Sequence, residues 1–360
     1  MSVIVYILIL SILIVVHEFG HFIAARKMGV KVERFSIGFG PRLYSRKGKE
    51  TEFTLCVIPF GGFVKLTGEN AGECQGGADE FMTKPVWRRF VVLFSGVCLN
   101  YLLGIFCLWL VFMMGYPRLL ANVGTVKEGY GAQQAGIRAG DAIVGIDGKK
   151  LRFFDELQEA VYKKSGGDTV KLAVQRAGKD YVFDVRVKAE EVTDAFSQKV
   201  KIGLIGISPA EASINVRHGF FESMPLAVRK SLDATGLIYK ALWRVVTGKM
   251  SFRSSMTGPL GIFDITAKAV KVGLGAVINV MAVLSISLAV FNMLPLPALD
   301  GGYIFLLLVE KIRGRGLSQR SEKVFFQAGV TLLITLTVFV FYNDLVRLGV
   351  FDKLHKLFVK

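Results

Sequence analysis

Five residues, His17-Glu18-Phe19-Gly20-His21, carry the chemistry most open to view in this 360-residue chain. Two imidazoles four positions apart on a helix project from one face and can share a single tetrahedral ion. The glutamate beside them is placed to act as general base on water at that ion. The setting is unusual, because from Met1 to Ala25 the chain is otherwise almost wholly apolar (MSVIVYILILSILIVVHEFGHFIAA). That is the length and composition of a bilayer-spanning helix. An ionisable group at bilayer depth costs about 2.5–3.5 kcal/mol on insertion scales, so three together require a compensating partner, and a divalent metal is the natural one.

Two histidines leave the shell of such an ion short by at least one ligand. A second apolar stretch, 276–309, is interrupted by Asn292-Met293-Leu294-Pro295-Leu296-Pro297-Ala298-Leu299-Asp300-Gly301-Gly302. Its two prolines remove backbone donors and break a helix, and its glycines permit unusual backbone angles. Irregular backbone at membrane depth is tolerated only where protein buries it or it lines a wet cavity. Asp300 is the only acid in the middle of this stretch and is the expected third ligand; Glu310, at the boundary beside Lys311, has the poorer context. Depth agrees with that choice. His17 lies nine residues before Arg26 and Asp300 eleven before Lys311, which at the helical rise puts both roughly 14–16 Å from the same boundary.

The elements that must hold these groups follow from hydropathy. The chain is 52% hydrophobic, and four apolar spans are expected, at 3–25, 90–114, 276–309 and 324–342. The first reads as a permanent span and not a cleaved leader, since it lacks a basic start and a cleavage site before Arg26. A net charge of +16 raises the question of nucleic acid, but the basic residues gather at span ends: Arg26, Lys27, Lys31 and Arg34; Lys84, Arg88 and Arg89; Lys311, Arg313, Arg315, Arg320 and Lys323. All lie on one side, which the positive-inside rule makes cytoplasmic, leaving the region 117–275 outside. The basic tail (Arg347, Lys353, Lys356, Lys360) falls on the outer side of this topology, against the trend. Four cysteines, none in the large external region and none in CxxC spacing, argue against a structural disulfide there and against a cysteine zinc site.

Between the first two spans, residues 31–66 alternate as strands do, with Lys47-Gly48-Lys49 as a turn, and an antiparallel hairpin or small sheet on the cytoplasmic face is expected. Residues 69–82 read as a loose polar loop without chemistry. The second span sets Gly96, Asn100 and Gly104 on one face at intervals of four, a spacing that lets helices approach closely; helix packing and a role for Asn100 near the metal are both compatible with it. Outside, GYGAQQAGIRAGDAIVGIDGKKLRFFDELQEAV resembles a PDZ domain of the bacterial protease-associated type. Such domains take up extended peptides by strand addition, or here could merely limit access to the membrane site. Phe220–Met250, with Leu232, Leu237, Ile238 and Trp243 among Arg229, Lys230, Lys240 and Arg244, reads as an amphipathic helix lying along the membrane surface. His218 and His355 lie outside the spans and read as ordinary surface residues.

Taken together, HEFGH in the first span, NMLPLPALDGG in the third and the PDZ-like insert between the second and third resemble the site-2 protease family of intramembrane zinc metalloproteases, in its bacterial regulator-of-sigma-E form. The resemblance implies a polytopic α-helical membrane protein of about four transmembrane helices, with a membrane-associated β-hairpin or sheet on the cytoplasmic side and an extracytoplasmic PDZ (α+β) domain. It implies that His17, His21 and Asp300 bind Zn2+, that Glu18 is the base, and that Asn292 holds substrate or the developing oxyanion. GFGP and IPFGGFVKL match the family's β-region that holds substrate extended, which makes Gly38, Phe39, Gly40, Gly61 and Gly62 candidate substrate contacts.

The organisation then expected is helix one with HExxH at 1–27, the cytoplasmic loop at 28–88, helix two at 89–115, and the PDZ domain at 118–190. An extracytoplasmic linker with the amphipathic helix follows at 191–275, then the broken helix three at 276–310, helix four at 324–343 and the basic tail at 344–360. The implied location is the bacterial inner membrane, multi-pass, with the PDZ region periplasmic. The implied substrates are membrane proteins with one transmembrane helix, anti-sigma factors or remnant signal peptides, first shortened by an upstream site-1 protease; the lipid bilayer is the other partner, and nucleic acid is not one. The chain departs from the family pattern in two places. It holds one obvious PDZ copy where the long proteobacterial forms carry two, and it has Val97 where a proline commonly follows the span-two glycine. A catalytically silent scaffold that binds partners through its PDZ domain is the competing reading, and the intact Glu18 counts against it.

Overall fold

The structure is a computed structural model that describes residues 1–69, 72–193, 199–251, 257–316, 318–347 and 349. It comprises two units. One takes in residues 1–111, 221–240 and the described residues from 257 on; the other takes in 112–220 and 241–251.

The first unit is built on helices α1 (Ser2–Lys27) and α2 (Val86–Met114). Between them run two long strands, β1 (Val32–Lys47) and β2 (Glu52–Leu66). They form more than a simple hairpin. Phe35 pairs with both Val64 and Phe53, and Ser36 with both Phe63 and Thr54, while Arg42–Lys47 pairs back along Glu52–Cys56. Each strand therefore folds over on its glycines: Gly38, Gly40 and Gly61 all adopt positive φ, at 86°, 86° and 115°. The sheet packs against α1, and Phe22, Val30, Val32, Phe35, Leu66, Phe81 and Val92 form a common core. The stretch read as a loose loop at 69–82 is partly anchored, because the Glu80 carboxylate accepts hydrogen bonds from the amides of Gln75 and Gly76 at 2.9 and 3.0 Å.

The second unit is PDZ-like, with short strands β3 (Tyr116–Leu119) and β4 (Val123–Val126), a one-turn helix α3 (Gly131–Gln134), β5 (Ala142–Ile146), β6 (Lys149–Lys150) and helix α4 (Phe154–Tyr162). It continues through β7 (Thr169–Arg176), β8 (Lys179–Arg186), β9 (Lys188–Thr193), β10 (Lys199–Leu204), β11 (Ile207–Pro209) and β12 (Ser213–Val216). The main sheet has the order β6-β5-β7-β8. Val170, Leu172 and Val174 alternate inward from β7 onto Ile143, Leu157, Val161 and Val185, a period of two that buries one face. This unit runs well past residue 190, where the sequence reading ended it. The reason is pairing: β11 closes on β4, β12 closes on β3, and Ile205 joins the core.

Downstream, α5 (Phe220–Val246) is an amphipathic helix. Ser223, Ala227 and Ser231 are buried at intervals of four, whereas Phe221, Leu232 and Trp243 are exposed. Thr235 continues the small-residue face and lies 3.1 Å from the Tyr101 hydroxyl of α2. The following segment is a regular helix from its proline onward, α6 (Pro259–Val272). Proline at the first helical position costs no hydrogen bond.

The long third span is two helices. α7 (Leu274–Asn292) ends before Pro295 and Pro297, and α8 (Asp300–Arg313) begins after them. The turn between them contains Ala298 at a φ of 67°, a left-handed conformation unusual for a residue with a Cβ. Side chains at Gly301 and Gly302 would strike the carbonyls of Met293, Leu294 and Leu296, so the turn is folded tightly onto the start of α8. α9 (Gln319–Arg347) completes the unit, and its Asp344 carboxylate accepts the amides of Gly258 and Gly261 at 3.1 and 2.9 Å, capping α6 from outside. α1, α2, α7 and α9 are the helices long and apolar enough to cross a membrane among the described residues. His355 and the basic tail beyond Arg347 lie outside the described residues.

Candidate metal centre

The site begins with a close crossing of α1 and α2. A Cβ at Gly20 would lie 2.5 Å from the Ser95 carbonyl and 2.8 Å from the Gly96 Cα, so the helices meet almost backbone to backbone. That contact brings the His17 and His21 rings against α2, where both histidines are buried (8% and 9% exposed). Their ring centroids are 4.8 Å apart at 81°. His21 Nδ1 lies 2.8 Å from the Val92 carbonyl. A carbonyl only accepts, so this nitrogen carries the hydrogen and Nε2 is left with its lone pair. His17 Nδ1 faces the Asn100 side-chain amide at 3.3 Å.

Asp300 enters from the first residue of α8. Its Oδ2 lies 3.1 Å from His17 Nε2 and 3.5 Å from His21 Nε2, and the two Nε2 atoms are 3.2 Å apart. With zinc-to-ligand distances of about 2.0–2.1 Å, a tetrahedral shell has ligand separations of roughly 3.3–3.4 Å. The three observed separations are those of one face of such a shell. Two imidazoles and a carboxylate, converging on one point, fit a zinc ion with a position left for water or substrate; no other three-residue His/Cys/Asp/Glu group with this spacing occurs among the described residues.

A cavity of about 430 Å³ opens on this point, and Glu18, Asn292 and Tyr303 line it with the three convergent residues. Asn292, the last residue of α7, holds its Nδ2 3.5 Å from His17 Nε2. Of the β-region residues singled out in the sequence, Gly62 is the one beside the base: a Cβ there would sit 3.6 Å from Glu18 Cγ. Gly38, Phe39, Gly40 and Gly61 are instead at the fold of the sheet, where Gly61 abuts the Phe39 ring and Phe39 stacks on Phe63 at 6.3 Å. Phe63 and Val64, not those glycines, form the cavity wall.

The far end of the cavity is charged. Arg89, one of the basic residues that gather at span ends, is buried (5% exposed) and makes a two-pronged pair with Glu310 of α8, one arm at 3.1 Å. Its Nε also donates to the Lys84 carbonyl at 3.0 Å. Glu69, outside the spans, also lines the cavity. Sequence spacing marked Gly96 for close helix packing but gave no sign of a role at the site for Gly96, Val92 or Arg89, because a small residue, a backbone carbonyl and a boundary arginine have no chemistry until a partner is opposite them.

Buried imidazoles, a carboxylate aimed at them and a second carboxylate in the same cavity match the donor set of a zinc hydrolase. The model of peptidase family M50 matches residues 5–336, and the chain belongs to that family, the site-2 proteases. A Campylobacter jejuni relative named as zinc metalloprotease Cj1068 is 33% identical over 345 residues, covering 95% of this chain and 92% of that one. The Regulator of sigma E protease of Haemophilus influenzae is 26% identical over 435 residues, covering 95% and 98%. Among solved structures, the PDZ domain of the SdrC-like protein Lmo2051 from Listeria monocytogenes is similar over 26% of this chain and 90% of its own, at 26% identity and a TM-score of 0.21. The protein is a zinc-dependent metalloendopeptidase of the membrane.

Proposed function

We propose that this protein hydrolyses peptide bonds inside the membrane-embedded segments of other membrane proteins, with His17, His21 and Asp300 holding zinc and Glu18 as the base. The observation that carries the reading is the meeting of three potential ligands to within 3.5 Å of one another, two of them on a helix apolar enough to span a bilayer. Zinc supplies Lewis-acid polarisation of the scissile carbonyl and makes water more acidic. Glu18 takes the proton from the attacking water and delivers it to the leaving amine. The Asn292 amide, at the same wall of the cavity, donates to the carbonyl oxygen as charge builds on it. Phe63 and Val64 hold the unwound substrate extended beside Glu18, with the Gly38–Gly40 and Gly61–Gly62 bends shaping the strand they lie on. Substrates with small or helix-breaking residues are cleaved best, since a helical amide is shielded by its own hydrogen bonds.

The substrates are single-span membrane proteins of the anti-sigma type or remnant signal peptides, cut first by another protease. The protein resides in the bacterial inner membrane, with the PDZ-like unit on the periplasmic side, where it binds chain ends or restricts entry. The decisive experiment is Glu18→Gln in a reconstituted bilayer containing a single-span substrate. Zinc content stays at the wild-type level and cleavage disappears; retained cleavage refutes the assignment. Comparing membranes with and without that variant by proteomics identifies the substrates that accumulate.

A further inference from the structure

A zinc-bound histidine must present its lone pair to the metal and its hydrogen elsewhere. For His21 the question is closed by the Val92 carbonyl at Nδ1, 2.8 Å away. His17 directs Nε2 at Asp300 and His21, so its Nδ1 must carry the hydrogen, and that nitrogen faces Asn100. Asn100 is wholly buried, and its Oδ1 has no hydrogen-bond partner. Its Nδ2 is the atom 3.3 Å from His17 Nδ1. That arrangement suits only the other tautomer, with the hydrogen on Nε2, which cannot bind a metal through Nε2. The oxygen and nitrogen of an amide occupy nearly the same positions, so a half-turn of the side chain exchanges them. After it, Oδ1 accepts the Nδ1 hydrogen of His17 and ceases to be an orphan.

We propose that Asn100 is a positioning residue for zinc binding, its side-chain oxygen fixing the tautomer and orientation of His17 as the Val92 carbonyl fixes those of His21. The proposal rests on reading His17 as a zinc ligand. The helix holds Asn100 at the right height by an independent bond: Ser285 Oγ of α7 donates to the Asn100 backbone carbonyl at 2.7 Å, so the side chain is free for His17. Partners of this kind on the outer nitrogen of a ligating histidine typically govern metal affinity by 10–100-fold.

The test is zinc affinity by chelator competition on the intact protein in detergent, with heat unfolding of the metal-free protein measured alongside. Asn100→Leu keeps the volume and removes the acceptor; it is expected to weaken zinc about 10–100-fold, without lowering the metal-free melting temperature. Asn100→Asp keeps an acceptor oxygen and is expected to restore near wild-type affinity. Equal zinc affinity in Asn100→Leu and wild type overturns the proposal, as does an Asn100→Asp as weak as Asn100→Leu. Nitrogen-15 NMR of zinc-loaded, histidine-labelled wild type needs no variant: exchange-protected Nδ1 hydrogens are expected on both His17 and His21, and one on His21 alone overturns it. Asp300→Asn is run beside them. If that variant also leaves zinc undiminished, the ligand assignment itself is what has failed.

Discussion

Substituting Gly96 by alanine puts one methyl group against both metal-facing imidazoles. The added Cβ would lie 2.7 Å from His21 Cε1 and 2.9 Å from His17 Cε1, with His21 Nε2 closer still. Carbon atoms settle at about 3.5 Å or more, so each ring must retreat by roughly 0.6–0.8 Å. The α1–α2 crossing offers no slack, because Gly20 already sits against Ser95 and Gly96. Metal sites tolerate errors of about 0.2 Å in ligand distance. The expected result is a fall in zinc affinity of at least 10–100-fold, about 1.4–2.7 kcal/mol, with cleavage lost in proportion, on top of a packing cost of about 1–3 kcal/mol. Gly104→Ala is the control: its Cβ would meet Ile286 Cγ1 at 2.5 Å, on the same helix face but away from the histidines. It should lower the melting temperature and leave zinc affinity unchanged. Chelator competition and unfolding of both variants decide the matter. A Gly96→Ala protein with wild-type zinc affinity would mean that the imidazoles do not lie against α2, and the site geometry would have to be redrawn.

Other outcomes follow from the same structure. Asp300→Asn removes the only anionic group of the proposed ligand set and should release most of the bound zinc, measured by metal analysis after gel filtration. Arg89→Met leaves Glu310 unpaired in a partly buried setting and should destabilise the protein by about 3 kcal/mol, whereas the double change Arg89→Met with Glu310→Met should recover most of that loss; thermal unfolding of the cycle is the check. In the PDZ-like unit, hydrogen bonds from Arg176, at 2.6 and 2.7 Å, hold the Asp141 carboxyl below the usual carboxylate range. Because the folded-state value is depressed, the stability it contributes is fully present above the free carboxyl's titration near pH 3.9 and is lost as pH falls below that. Amide exchange of β7 against pH should therefore steepen below about pH 4, and Asp141→Asn should flatten the profile.

The sequence reveals those parts whose cost is large and local. Ionisable groups in an apolar span are expensive wherever the chain goes, so His17, His21 and Asp300 stand out before any fold is known. Turns of the PDZ-like unit are legible for a similar reason: Asp147-Gly148 takes φ of 47° and 80°, as a two-residue hairpin requires. What could not be read depends on partners distant in sequence. Nothing near Ile207 or Ser213 says that these short strands pair with β4 and β3, about ninety residues earlier. The doubled pairing of Phe35 is equally hidden, since strand alternation looks the same on one neighbour or two. Gly96 and Asn100 show the limit most clearly, because intervals of four serve helix packing and ligand support alike. Arg89 is legible only as a mark of one membrane side, because its buried pairing needs Glu310, 221 residues further on.

The order of the parts along the chain has a consequence in time. His17 and His21 leave the ribosome about 280 residues ahead of Asp300. At usual elongation rates the interval is on the order of tens of seconds. Through that interval α1 can be threaded into the membrane with Glu18 and both imidazoles in place but without the Asp300 carboxylate that faces them. The break at Pro295–Pro297 then delivers Asp300 and Asn292 in one stroke, eight residues apart on either side of a single turn. On the ligand set proposed above, the metal shell stays incomplete throughout insertion, when the unfinished helices of the protein and its neighbours would be most open to attack.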